Sequence, residues 1–151
     1  MKLYIESSVP NFLFADDAPE KKDITKRFFD DEIGKHDVFI SQLVLEELKQ
    51  APPEKSKKLH EKLPKHIFRI LDVTDESKEL ADRYLQSGII PSRFKNDALH
   101  IAVAVVNKID VIVSWNLKHI VKVKTIIGVN EINKKLGYKE ILINTPEEVL
   151  E

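Results

Sequence analysis

Short apolar triplets alternate along this chain with longer stretches whose apolar residues recur every three or four positions. "LYI" at 3–5, "VFI" at 38–40 and "VIV" at 111–113 are the clearest triplets. Successive residues of a strand point to opposite faces, so such triplets predict strands covered on both sides. Residues 67–71 read as a further strand and 140–143 as the last.

Helices are expected between them. Pro19 suits the first position of a helix that keeps Ile24, Phe28 and Ile33 near one face. Ser41 is placed to cap a helix through about Gln50, and Pro53 to start another that ends before Pro64. Asp75 opens a helix over 76–87, with Leu80, Ala81, Tyr84 and Leu85 inward and Gly88 as its stop. Asn96 opens 97–106. Ile126, Val129, Ile132 and Leu136 form one stripe that Gly137 ends. Thr145-Pro146-Glu147-Glu148 is a capping box with proline at the first helical position. Strands alternating with helices predict an α/β fold of three layers, α/β/α, around a mostly parallel sheet of about five strands. The 151 residues read as one domain over 1–151, with no linker, repeat or low-complexity segment. Residues 52–62 are polar enough to suggest a projecting arm.

Charge and composition exclude more than they suggest. Lys and Arg number 24 against 25 Asp and Glu, a net charge of -1, so no global field points to a nucleic acid or a membrane surface. The absence of cysteine removes disulfides, thiolate zinc sites and cysteine nucleophiles, and fits a cytoplasmic setting. The most apolar run, 98–106, is too short to span a bilayer, so no membrane is expected. Met1-Lys2-Leu3 leads straight into a strand, and no secretory segment is expected before it.

The chemistry follows from topology. In open α/β sheets the ligand site lies at the carboxyl ends of the strands. The first strand ends at Glu6. The second ends at Ser41, which opens the helix carrying Glu46 and Glu47. The fourth ends at Ser114-Trp115-Asn116. The helix before that strand runs antiparallel to it, so Asp97 at its start shares the same edge. Val44, Leu45, Leu48 and Ala51 define the apolar side of the second helix. Glu47 flanks that side and Glu46 lies nearly opposite, so spacing selects Glu47.

Glu6, Glu47, Asp97 and Asn116 are thus expected at one edge. Clustered carboxylates repel unless a cation joins them, and oxygen donors suit Mg²⁺ or Mn²⁺. Each residue also has a plainer reading, as a helix-start acid, an amphipathic border residue or a turn residue. Ser7 and Ser8 are candidates for phosphate contact or for capping the next helix. Trp115 is a candidate for base stacking or for packing. Lys118, Lys122 and Lys124 are phosphate candidates. His100, one turn after Asp97, reads as a hydrogen-bonded core histidine able to orient Asp97.

The stretches "YIESSV", "SQLVLEEL", "NDALHIAVA" and "VIVSWNLKHI" resemble, in that order, the motifs of PIN-domain proteins. That family includes the VapC-like toxin ribonucleases of toxin–antitoxin pairs. The resemblance runs from Lys2 to about Ile120, and its strength lies in the order of the motifs. It implies a metal-dependent endoribonuclease acting on single-stranded RNA and leaving a 5′-phosphate. Its metal and catalytic positions fall on Glu6, Glu47, Asp97 and Asn116, with Mg²⁺ or Mn²⁺ as the metal. An antitoxin partner and a homodimer are implied as well. The chain departs from the usual pattern at Glu6, where Asp is common, and at Asn116, often acidic. The alternative is a PIN-like module that binds nucleic acid or protein without cutting. A phospho-acceptor domain built on Asp72 is a more distant rival, since no Lys follows the last strand.

Overall fold

Leu3, Tyr4 and Ile5 are all fully buried. Burial of three successive residues means that the sheet is covered on both faces at β1 (Lys2–Ile5). The same holds at β2 (Asp37–Ser41) and β4 (Val111–Val113). With β3 (Arg69–Leu71) and β5 (Leu142–Asn144) they form a five-stranded sheet. The computed structural model of the chain describes residues 1–62 and 68–150. Every pairing is parallel, and the strand order is β3-β2-β1-β4-β5. The fold is α/β with helices flanking a parallel sheet, as the alternating pattern predicts.

The outer strands depart from expectation in their limits. The strand expected at 67–71 is described from Arg69; Ile67 lies outside the described residues, as does Pro64. The last strand lies two residues later at its start than the expected 140–143. Both are sheet edges. Ile70 is 54 % exposed and Leu142 60 %, so neither strand carries a buried triplet.

The helices are α1 (Ser8–Phe12), α2 (Pro19–Arg27), α3 (Gln42–Lys49), α4 (Pro53–Lys62), α5 (Asp75–Gln86), α6 (Lys95–Val106), α7 (Val123–Leu136) and α8 (Pro146–Val149). α2 does not carry its stripe unbroken to Ile33. It widens into a π turn at Phe28–Glu32, followed by a 3₁₀ turn at Ile33–Lys35. A π turn sets successive side chains closer in angle than an α turn, and here adjacent Phe28 and Phe29 are both fully buried. α4 is no free arm, because Leu59 is fully buried in the core.

The termini of the helices are chemically marked. The Ser41 hydroxyl accepts the Val44 N–H at 3.4 Å. Capping boxes join Thr74 to Ser77 and Thr145 to Glu148, so Thr74, not Asp75, caps α5. Gly137, at φ 83°, closes α7 in the left-handed conformation. α6 begins at Lys95, with Phe94 as the residue before it.

This topology positions the site. The chain builds outward from β1 through β2 to β3, then crosses to β4 on the other side of β1. The order reverses between β1 and β4, the place where open α/β sheets carry their ligand sites. The Glu6 N–H donates to the Val113 carbonyl at 3.1 Å and holds the two strand ends together there.

Candidate metal centre

Glu6 is the first residue past β1 and only 5 % exposed. A carboxylate so buried needs hydrogen bonds to remain charged. Its Oε1 accepts the hydroxyls of Ser8 at 2.5 Å and Ser114 at 2.6 Å, and its Oε2 accepts the Ser8 N–H at 3.2 Å. Both hydroxyls also accept from the β4 loop: Ser8 from the Trp115 N–H at 2.8 Å, Ser114 from the Asn116 N–H at 2.9 Å. The loops leaving β1 and β4 are therefore laced together around Glu6. Ser7, the residue before α1, makes no capping bond with its side chain. Its hydroxyl, like that of Ser8, goes to a glutamate.

α3 presents Glu47 partly buried and Glu46 exposed, as the helical spacing predicts. Glu47 Oε1 accepts the Ser7 hydroxyl at 2.7 Å and also contacts His100 Nε2. His100 comes from α6 and is 1 % exposed. Its Nδ1 lies 2.7 Å from the Tyr4 hydroxyl, which lies 2.8 Å from that of Ser41. A chain of polar groups thus runs under the site from β2 through β1 to α6 and α3. His100 serves Glu47 in this chain, and among the described residues it makes no hydrogen bond to Asp97.

Burial by itself would raise Glu47, but the His100 hydrogen bond and charge, with Ser7 and Asn96, hold it below the usual glutamate value. Burial by itself would lower His100; the Glu47 bond and the charges of Glu6, Glu47 and Asp97 overcome this and raise it. The two form an ion pair. Burial also pushes the Tyr4 phenol up.

Asp97 lies in the first turn of α6, partly buried. Burial and the charge of Glu6 raise its carboxyl, against smaller opposing effects of His119, His100 and Asn116. Asn116 Nδ2 donates to Asp97 Oδ1 at 3.2 Å, while Asn116 Oδ1 accepts the His119 N–H at 3.1 Å. The Asn116 oxygen, expected to face an ion, is engaged by its own turn.

The remaining candidates occupy different settings. Ser7 is buried against Glu47. Trp115 is 7 % exposed, its indole N–H donates to Thr25 Oγ1 at 2.8 Å, and its ring packs 5.9 Å from that of Phe12. In this arrangement the indole is a packing group. Lys118, Lys122 and Lys124 are exposed. Asp72 follows the edge strand β3 and is exposed, apart from the acids at the switch point.

The donor set suits a divalent cation. Carboxylate oxygens of Glu6 and Glu47 lie within 4.8 Å of each other; His100 Nε2 is equally near but is taken up by its bond to Glu47. Asp97, bonded to Asn116 from the β4 loop, feels the charge of Glu6. Hard carboxylate oxygens suit Mg²⁺ or Mn²⁺, and the raised Asp97 is an acid whose ionisation a cation would favour.

Tyr4, Ser114 and the bond between His100 and Glu47 are parts of the site that the sequence reading did not assign. Tyr4 reads as one of three core residues. The available signal was its hydroxyl, since a buried tyrosine normally finds a polar partner.

No family model and no curated protein sequence matches the chain. Among solved structures, a chain of VapBC2 from Rickettsia felis bound to a DNA fragment from their promoter is similar, with a TM-score of 0.60 and 14 % identity. The match covers 96 % of this chain and 98 % of that one. At this identity the likeness concerns the fold. With its five parallel strands, flanking helices and near full-length match, the chain is PIN-like in fold.

Proposed function

We propose that this chain is a divalent-metal-dependent endoribonuclease that hydrolyses single-stranded RNA, and that it is the toxin of a toxin–antitoxin pair. One observation supports the reading: carboxylate oxygens of Glu6 and Glu47, from two separate elements, lie within 4.8 Å of each other at the switch point of a PIN-like sheet, and the charge of Glu6 acts on Asp97.

In this reading Glu6, Glu47 and Asp97 hold Mg²⁺ or Mn²⁺. Bound there, the cation supplies positive charge against the scissile phosphate and lowers the pKa of an attacking water. The protein's own part is preorganisation. Ser8 and Ser114 fix the two oxygens of Glu6, and Ser7 and His100 fix Glu47. The Tyr4 hydroxyl sets the ring of His100. Asn116 orients Asp97 through its amide. A water oxygen attacks phosphorus, the bond from phosphorus to O3′ breaks, and O3′ takes up a proton. The products carry a 5′-phosphate and a 3′-hydroxyl.

The likeness to VapBC2 also supports an antitoxin partner. A segment bearing Arg or Lys could cover the same acids and offset their charge. A homodimer and a cytoplasmic location belong to this reading. Among the described residues no helix is long and apolar enough to cross a membrane. One observation favours a non-cutting module instead: Asn116 brings no charge and its oxygen is engaged by His119, which leaves three carboxylates.

The experiment is a cleavage assay of highly purified chain on end-labelled single-stranded RNA. Cutting that needs Mg²⁺ or Mn²⁺, stops with chelator and leaves 5′-phosphates supports the nuclease. A 2′,3′-cyclic phosphate product would require attack by the ribose and would overturn the scheme. Absence of cutting with either metal would favour the binding module.

A further inference from the structure

Beside Asp97 the protein carries a stack of planar groups that the acid site does not use. Phe94, just before α6, and His119, in the loop after β4, pack ring on ring in a tilted pair, with centroids 3.9 Å apart and planes 30° apart. The Arg93 guanidinium lies over the Phe94 ring at 4.9 Å. Phe94 and His119 are partly buried, whereas Arg93 and Lys95 are exposed. Among the described residues neither cation has an ion-pair partner.

The stack is tied to the acids. The His119 N–H bonds to Asn116, and Asn116 bonds to Asp97. A groove of about 310 Å³ is lined by Arg93, Phe94, Lys95, Asn96 and Asp97. The groove is therefore lined by planar and cationic side chains together with a candidate metal ligand.

An acid cluster repels the backbone of its own substrate, so cations beside it are needed to hold an RNA strand. Aromatic and guanidinium planes bind unpaired bases without regard to sequence, because every base has a π face. In a duplex those faces are covered by neighbouring bases.

We propose that this rim is a nucleotide subsite. Resting on the nuclease reading of the acid site, it binds one unpaired RNA nucleotide beside the scissile phosphate. The base extends the column of Arg93, Phe94 and His119, and Lys95 takes the adjoining phosphate. The subsite predicts a preference for single-stranded substrate by stacking alone, and little discrimination among the four bases.

The test is fluorescence anisotropy of a labelled RNA of about ten nucleotides, in chelator so that no hydrolysis intervenes, across a salt series. Phe94→Leu takes the middle plane out of the column and should weaken single-strand binding about tenfold, on the scale of one stacked base, with the salt slope unchanged. Phe94→Trp should bind at least as tightly as the parent, which shows that the plane matters and not merely the packing. Lys95→Ala should reduce the slope of log K against log salt by about 0.7, the value for one phosphate on a single strand. Unchanged affinity in Phe94→Leu, or equal loss for single-stranded and duplex RNA, overturns the subsite. If the parent cleaves RNA while Phe94→Leu binds normally, the subsite fails and the nuclease stands. If the Phe94 effect appears but neither metal supports cleavage, the nuclease fails and the subsite stands. A parent that binds no RNA overturns both.

Discussion

Asn116 holds Asp97 with its amide nitrogen at 3.2 Å and holds its own turn with its amide oxygen, which accepts the His119 N–H at 3.1 Å. Asn116→Asp keeps an acceptor for His119, removes the donor to Asp97 and sets a second carboxylate against it. Both side chains are only partly buried, so in chelator the variant should lose about 0.5–1.5 kcal/mol, the net worth of one hydrogen bond. Mn²⁺ should then raise its Tm by more than it raises the parent's, because a cation relieves the added repulsion. Thermal scans with and without Mn²⁺ check both signs, and identical shifts in the two proteins would contradict the placement of Asn116 against Asp97.

Ser114 is fully buried and bridges Glu6 to the Asn116 N–H. Ser114→Ala takes a donor from a buried carboxylate and an acceptor from a backbone amide at once. Metal-free stability should fall by about 1–3 kcal/mol in urea, with the m value unchanged. No loss would mean that Ser8 alone satisfies Glu6.

The ion pair of His100 and Glu47 gives the metal-free protein a defined pH response. Glu47 is held below its ordinary 4.5, which adds stability present above that value and lost as pH falls through the folded value. His100 is raised above 6.5, which adds stability complete below 6.5 and lost as pH rises through the folded value. Asp97, raised above 3.8, acts in the same direction as His100: its contribution is complete below 3.8 and is lost on going up through its folded value. In chelator the Tm should therefore fall from about pH 6 to about pH 8, and fall less in His100→Gln. A Tm that rises over that range in the parent relative to His100→Gln would contradict the ion pair.

Much of this was legible in the sequence where one physical rule dominates. A triplet such as "VIV" at 111–113 has few uses except a strand buried on both faces, and β4 is found there. The choice of Glu47 over Glu46 needed only helical geometry, and the exposures agree. The edge strands were placed less well because Ile70 and Leu142 face solvent and blur the pattern. The polar chain beneath the site was hidden because its members look ordinary one at a time. Tyr4 passes for a core aromatic, and Ser7 and Ser8 pass for helix caps. Their partners, Glu47, His100 and Ser114, are far away in sequence, and only the sheet order brings them together. The π turn at Phe28–Glu32 likewise reflects packing of two adjacent phenylalanines, which no helical period announces.

The central claim is that acids from separate elements form one metal-dependent cleavage site, and the neighbours Glu46 and Glu47 test it most directly. They share chemistry and differ in direction: Glu47 bonds Ser7 and His100, whereas Glu46 is exposed on α3. Glu47→Gln keeps the shape and removes the charge. The measurement is the rate of single-stranded RNA cleavage by both variants and the parent, side by side, across a Mn²⁺ titration. Glu47→Gln should lose about 10²-fold or more in rate, the scale of a lost electrostatic group at a reacting centre. Glu46→Gln should cleave like the parent and lie within about 0.5 kcal/mol of it in stability. Equal, small effects from both substitutions, or a larger loss from Glu46→Gln, would contradict the account.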